Sequence, residues 1–390
     1  MKRSGAFIMV RYGTVALISL SVSWISWSAP GTLDVDGHWL PWLTTLSRYG
    51  LIEGYAAIAD DYPPGTATLL FLARRLLPAA SDMTVLKSLI ATAQLGSALL
   101  FMMHTRRVGL SLAYVLAVAL SGSFLGYLDI FFAIPLLAAL FAALDGRPIL
   151  SATTFGLACI IKWQPIILLP FMLIIWFEQV KALPRRQLVA AVGMLVTGAI
   201  TIACLFWPDV WDAFYRAFDN SIWSGETLNL PWLVQIVLGY GVQNIVAPTY
   251  ALIALRVLFA TIYLVLLAAS GWHHRNDPTT MLTFGLGGFT AYFMFAPGVH
   301  ENHLFLAMLL GFVLWSRQPR LQPVAIGLTI YANLNLALFY GLAGEAPWSD
   351  GRAFALVTGV LSAVGVLAFV YILRILMATR DCRKLEEGSS

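Results

Sequence analysis

The chain has 390 residues, 59% of them hydrophobic and only 11% charged, with 24 Lys and Arg against 20 Asp and Glu for a net charge of +4. Its mean hydropathy is +0.79. That balance excludes both a soluble globular domain and a disordered chain, and the lack of a basic patch interleaved with exposed aromatics excludes a nucleic-acid surface.

What remains is an all-α polytopic membrane protein. Segments apolar enough to cross the hydrocarbon as helices, roughly 17–25 residues each, are read in chain order at 8–28, 84–103, 108–125, 128–144, 149–162, 165–178, 187–206, 246–270, 279–296, 303–316, 322–341 and 352–377. The first run is followed by Pro30 and acidic residues rather than by a small-residue cleavage site, so it reads as an uncleaved helix. The loop at 30–83 carries Trp39, Leu40, Trp42, Leu43 and Leu46 at helical spacing, which predicts a short amphipathic helix over 37–50 lying in the membrane interface. Pro63-Pro64 opens a second short helix over 64–77, because proline is tolerated in the first turn. In the loop at 207–245, Pro208 to Phe218 predicts a third, rich in Trp211, Phe214 and Tyr215. Residues 1–384 read as a single transmembrane domain and 385–390 as a tag or linker remnant.

Lys and Arg near span ends are retained on the cytoplasmic side. The twelve-span reading puts Lys2, Arg3, Arg106, Arg107, Arg147, Lys181, Arg185, Arg186, Arg275, Arg317, Arg320, Arg380, Arg383 and Lys384 on one face, together with Arg11 and Arg374. Both termini are then cytoplasmic and the two long loops exofacial. Arg48, Arg74, Arg75, Lys87, Lys162, Arg216 and Arg352 fall on the exofacial face. Cys159 and Cys204 lie within spans and Cys382 in the tail, so no disulfide is expected.

Several polar residues stand out against this background. The first exofacial loop holds Asp34-Val35-Asp36-Gly37-His38 and then Asp60-Asp61-Tyr62-Pro63-Pro64-Gly65. Lys162 interrupts two apolar spans, where a charge costs about 2.5–3.5 kcal/mol, so an anionic partner is expected. Ala296-Pro297-Gly298-Val299-His300-Glu301-Asn302-His303 puts four polar side chains at one rim, and Asp129 belongs to the same face of the membrane.

These residues resemble the GT-C integral-membrane glycosyltransferases that use polyprenyl-phosphate-linked sugars. Asp36-Gly37-His38 is similar to the Asp-x-His of polyprenyl-phosphate-mannose mannosyltransferases, and Asp34-Val35-Asp36 to the Asp-x-Asp of the glycosylphosphatidylinositol mannosyltransferases. Tyr62-Pro63-Pro64-Gly65-Thr66-Ala67 resembles the Tyr-Pro-Pro-Leu-Thr-Ala of the dolichyl-phosphate-glucose glucosyltransferases, and Val299-His300-Glu301-Asn302 their Val-His-Glu-Lys. Gly65 replaces Leu and Asn302 replaces Lys, so the resemblance is to the superfamily rather than to one branch. It implies a GT-C-like fold, inversion at the anomeric carbon, and transfer of a hexose, glucose or mannose, to a lipid-linked or glycan acceptor.

Such transfer needs a general base for the acceptor hydroxyl and preorganised cations for the departing phosphate. Asp36 is the candidate base. His300, Lys162, His303 and Arg216 are the candidate donor-phosphate ligands, and Asp34, His38, Asp61, Tyr62, Asp129, Glu226, Asn229 and Glu301 the candidate acceptor or sugar contacts. Each has a plainer role available: Asp34 and Asp36 as turn residues, His38 as a packing or capping group, Asp61 as a cap before Pro63, and Lys162 snorkelling to the interface.

No cofactor and no bound metal are required by this chemistry, although a divalent cation, Mg or Mn, remains open as a bridge between carboxylate and phosphate. The implied partners are a polyprenyl-phosphate sugar, an acceptor and membrane lipids, with no nucleic acid. A lipid-linked glycan ligase or polymerase, and a membrane transporter, are the alternative readings; the first expects arginine-rich exofacial sites and the second paired broken helices at mid-membrane. The compact loops suit a bacterial inner membrane with the site facing the periplasm.

Overall fold

In the computed structural model, the protein is described at residues 2–218, 221–240, 246–273, 277–344 and 351–378. Arg275, Arg380, Cys382, Arg383, Lys384 and the segment 385–390 lie outside the described residues. The chain forms two compact units: Met1–Ile166 with Trp176–Asp219 and Leu336–Pro347, and Ile167–Ile175 with Asn220–Asn335 and Trp348–Ser390. Among the described residues the regular structure is helical, with no strand and two isolated β-bridges.

The first unit begins with α1 (Lys2–Ile25). A π-helical turn, Val35–Trp39, leads into α2 (Leu40–Tyr49), followed by α3 (Leu51–Ile58) and α4 (Pro64–Leu76). The amphipathic helix expected over 37–50 is thus present and ends at Gly50, whose φ of 84° turns the chain into α3, a helix not expected from the sequence. α4 starts on Pro64 as its proline pair predicts. Next come α5 (Asp82–Thr105), α6 (Val108–Ala119) running into a π-helical turn at Leu120–Phe124, α7 (Ile130–Leu144) and α8 (Pro148–Ile161). A 3-10 turn, Gln164–Leu168, precedes α9 (Leu169–Val180), which belongs to the second unit as far as Ile175, and α10 (Arg185–Phe206) and α11 (Asp209–Phe218) of the first unit follow.

Within this unit α5 is central, packing on α1, α6 and α7, while α7 packs closely on α8. Ser81 caps α5 by accepting from the Thr84 N–H at 3.2 Å. Asp82 in the first turn of α5 accepts from Thr44 of α2 at 2.9 Å and pairs with Arg74 of α4 at 3.5 Å. The short helices of the first loop are thereby tied to the end of α5.

The second unit contains α12 (Leu230–Val237), α13 (Thr249–His273), α14 (Pro278–Phe295), a 3-10 turn at Glu301–His303, α15 (Leu304–Arg317), a 3-10 turn at Pro319–Leu321, α16 (Gln322–Tyr340) as far as Asn335, and α17 (Arg352–Ala378). α14 packs on α13, α15 and α17 and is buried along almost its whole length, as is α15.

Among the described residues, five helical stretches are long and apolar enough to cross a membrane: Asp82–Thr105, Arg185–Phe206, Thr249–Trp272, Pro319–Tyr340 and Arg352–Ile375. Two of them expose most of their apolar residues, with only 6% of the apolar window of Arg185–Phe206 and 22% of that of Thr249–Trp272 buried within the protein. Apolar surface of that extent is stable only against lipid, so the protein is an integral membrane protein. Helices lie within all twelve expected segments, but α7 and α8, of 15 and 14 residues, rise only about 21–23 Å at 1.5 Å per residue against a core of about 30 Å. α7 is packed inside the protein along most of its length. A helix surrounded by protein does not have to match the lipid thickness, so these two are shorter apolar helices beside the five long ones.

Candidate active site

In the first unit the acidic residues of the first loop come together with Asp129 and Lys162. The loop after α1 is stitched down by the Thr32 N–H, which donates to the Leu125 carbonyl at 2.9 Å, and by the Gly31 N–H, which donates to the Ala343 carbonyl at 3.2 Å. Val35 and Trp39 then face inward from the π-helical turn, leaving Asp36, Gly37 and His38 on the exposed side. Asp34 is half-buried. Burial pushes its carboxyl above the usual range, with His38 and Lys162 opposing the rise and Asp60 and Asp129 adding to it. The two aspartates of Asp34-Val35-Asp36 are therefore unlike: Asp34 belongs to the charged cluster and Asp36 points to solvent.

His38 Nδ1 lies 3.2 Å from Asp60 Oδ2, with half of the imidazole exposed. The other Asp60 oxygen accepts the Asp61 N–H at 2.7 Å, and the Asp60 carbonyl accepts from Arg216 of α11 at 2.8 and 3.3 Å. Arg216 thus holds the backbone of the acidic pair. Burial and the hydrogen bond to Asp60 push the Asp61 carboxyl up to about 7, against the pull of Lys162. Trp163 Nε1 donates to the Asp61 carbonyl at 2.9 Å.

Tyr62 sits edge-on to Trp39 and Trp42, with ring centroids 5.3 and 5.4 Å apart. Burial and the surrounding carboxylates hold its phenol neutral, well above its usual range. Lys162 Nζ lies 5.0 Å from the centre of that ring and donates to Asp129 Oδ1 at 2.8 Å. Asp129 is wholly buried and Lys162 is 7% exposed. The anionic partner that Lys162 requires is therefore Asp129, 33 residues away in sequence.

Local sequence explains how α4 reaches this cluster. Thr66 donates to the Ile161 carbonyl at 2.6 Å, joining the first turn of α4 to the last turn of α8. A Cβ on Gly65 would stand 2.5 Å from the Ile160 carbonyl oxygen. The departure from Leu at this position follows from that close approach.

In the second unit the chain beside Trp223 runs against the turn that carries His300. The Gly225 N–H donates to the Val299 carbonyl at 2.8 Å, and the Glu301 N–H to the Gly225 carbonyl at 3.1 Å. The His300 ring lies so near Gly225 that a Cβ there would meet Nδ1 at 2.3 Å. His300 remains nearly half-exposed, with Nδ1 3.9 Å from Glu301 Oε2. Its ring centroid is 5.5 Å from that of His303, and His303 Nδ1 is 3.0 Å from the Tyr292 hydroxyl. Glu301 is buried. Its carbonyl accepts from Asn335, whose own carbonyl oxygen accepts the Leu228 N–H. Asn229 is wholly buried and its amide is engaged by backbone, accepting from the Trp232 N–H at 3.0 Å as the cap of α12 and donating to the Phe293 carbonyl at 3.2 Å. Glu226 is exposed with a left-handed φ of 50°.

The structure thus gathers Asp34, His38, Asp61, Tyr62, Asp129 and Lys162 in one unit, with Arg216 bracing them, and His300, Glu301 and His303 in the other. Sequence reasoning did not assign roles to Asp60, Tyr292 or Asn335. Asp60 had a signal in its place beside Asp61 before the proline pair, whereas nothing local marked the other two. Among the described residues no three His, Cys, Asp or Glu side chains converge on a metal position.

The first loop thus presents an exposed carboxylate, Asp36, on the turn whose neighbour Asp34 joins the cluster around the buried Lys162–Asp129 pair. Residues 62–297 match the sequence model of glycosyltransferase family 87. Comparison with curated proteins gives no match.

Proposed function

Since the chain belongs to glycosyltransferase family 87, a GT-C type family, and is thus a membrane glycosyltransferase, we propose that it moves a hexose, glucose or mannose, from a polyprenyl-phosphate sugar to a lipid-linked or glycan acceptor. The observation that carries the finer reading is the acidic rim of the first unit, where Asp34, Asp36 and His38 lie on one turn and His38 meets Asp60.

Asp36 acts as general base. An exposed carboxylate can approach an incoming hydroxyl and take its proton as the oxygen attacks the anomeric carbon, a contribution of about 10²–10⁴-fold. The phosphate leaves from the opposite face, so one displacement inverts the anomeric centre. Lys162 and Arg216 provide positive charge in the first unit, and His300 and His303 provide donors for phosphate oxygens in the second. Lys162 reaches this task already neutralised by Asp129, so its effect is that of a hydrogen-bonding dipole more than of a bare charge. Asp34, His38, Asp61 and Tyr62 contact the acceptor or the sugar, along with Glu226; Asp129, Asn229 and Glu301 act from buried positions by fixing their neighbours. Were a divalent ion to take part, the first-loop carboxylates Asp34 and Asp36 would be the residues to hold it, and it would supply positive charge against the departing phosphate. The rim faces the periplasm of a bacterial inner membrane, with both termini cytoplasmic, which the distribution of Lys and Arg supports.

Membership of a glycosyltransferase family sets the transporter alternative aside, and the few scattered arginines on the expected exofacial face disfavour a ligase using a lipid diphosphate. The test is donor choice by purified protein supplied with host lipid extract. Turnover with a polyprenyl-phosphate hexose and none with nucleotide sugars is expected, and turnover with nucleotide sugars alone would overturn the proposal.

A further inference from the structure

We propose that Lys87, a residue outside the acidic cluster, is a positioning residue for transfer: it fixes the turn carrying Asp34 and Asp36 relative to the turn leading to Asp129. The role in catalysis rests on the glycosyl-transfer reading above.

Lys87 lies near the start of α5, in one of the helices apolar enough to cross the membrane, and is 4% exposed. Among the described residues its ammonium pairs with no carboxylate. It donates instead to two backbone carbonyls, Ser123 at 3.1 Å and Ser26 at 3.4 Å, both on buried residues. A desolvated ammonium held only by carbonyls is costly beside an apolar side chain of equal length, so its use lies in what it joins.

Ser26 follows the last turn of α1, and the chain from it reaches Asp34 in eight residues. Ser123 belongs to the π-helical turn before Asp129, six residues on. The same two segments meet again where the Thr32 N–H donates to the Leu125 carbonyl. Gln94, two turns along α5 from Lys87 and on the same face, accepts from the Ser123 hydroxyl at 2.5 Å. α5 therefore holds the second turn by both its carbonyl and its hydroxyl, and holds the first through Lys87. Asp129 in turn pins Lys162, so a shift of either turn alters the spacing of the carboxylates and the cation.

A misplacement of about 1 Å costs about 10²-fold in rate. Lys87→Met, assayed with a polyprenyl-phosphate hexose, is expected to lower kcat by about that factor with the donor KM within about threefold. Gln94→Met, which keeps Lys87, is expected to lose a smaller part of kcat, again without a change in KM. A kcat within about threefold of wild type in Lys87→Met, or a loss matched by the loss of folded protein, overturns the proposal. If Lys87→Met does not fold, Lys87→Gln, which keeps an amide donor for one carbonyl, is held to the same criteria.

A second readout needs no donor. Spin labels at Leu33 and Leu116, both exposed, in a cysteine-free background should give a broader distance distribution in Lys87→Met than in wild type. An unchanged width contradicts positioning. A broader width in a protein that consumes no donor would leave Lys87 in its place and overturn the donor assignment instead.

Discussion

Breaking the Lys162–Asp129 pair gives the most quantitative consequence of the first unit's geometry. Lys162→Met leaves Asp129, wholly buried, without the ammonium that sits 2.8 Å from its carboxylate. Removing one partner of a buried ion pair costs about 3–5 kcal/mol, whereas replacing both with apolar groups of similar volume is often neutral. At an unfolding entropy of about 2.1 cal/mol/K per residue, 390 residues convert that cost into a loss of about 4–6 °C in melting temperature. Lys162→Met/Asp129→Leu should return to within about 2 °C of wild type while remaining impaired in transfer. The assay is thermal unfolding of the detergent-solubilised protein, with all four members of the cycle compared. A Lys162→Met protein melting within about 1 °C of wild type, or a double variant in which the two single losses add, would refute the reasoning.

Other consequences follow from single positions. Asp61 titrates at about 7 in the folded protein against 3.8 ordinarily, so its folded form keeps a proton that the unfolded chain releases; stability should fall as pH rises from about 4 to about 7 and level off above. Asp61→Asn should flatten melting temperature against pH across that window, and an unchanged slope would contradict the assignment. Gly65→Ala should destabilise by about 1–3 kcal/mol through the clash with the Ile160 carbonyl, read by thermal unfolding, and Gly65→Leu by more. Gly225→Ala should displace the His300 ring and raise the donor KM; a variant with wild-type KM would remove His300 from donor binding.

The helices were legible because apolar runs of that length have few alternatives, and α4 was marked by its proline pair. The helix expected over 37–50 ends at Gly50, a glycine at a positive φ, but α3 beyond it was not expected, because Leu51–Ile58 is only eight residues long. Neither π-helical turn had a sequence signal, yet one orients Asp36 and His38 and the other precedes Asp129. For the candidate site, sequence singled out Asp34, Asp36, Lys162 and His300 as candidates by residue type and place along the chain. It did not show that Asp129 neutralises Lys162, because that pairing depends on α7 packing against α8 over 33 residues of chain. Lys87 read as one more basic residue at a span end, and only burial distinguishes it from those that reach water.

The central claim is that a first-loop carboxylate serves as base in transfer from a polyprenyl phosphate, and single-turnover transfer by wild type, Asp36→Asn and Asp34→Asn tests it most directly. The account predicts that Asp36→Asn loses about 10²-fold or more in the chemical step with donor binding retained, and that Asp34→Asn loses less. Wild-type rates in Asp36→Asn would contradict it.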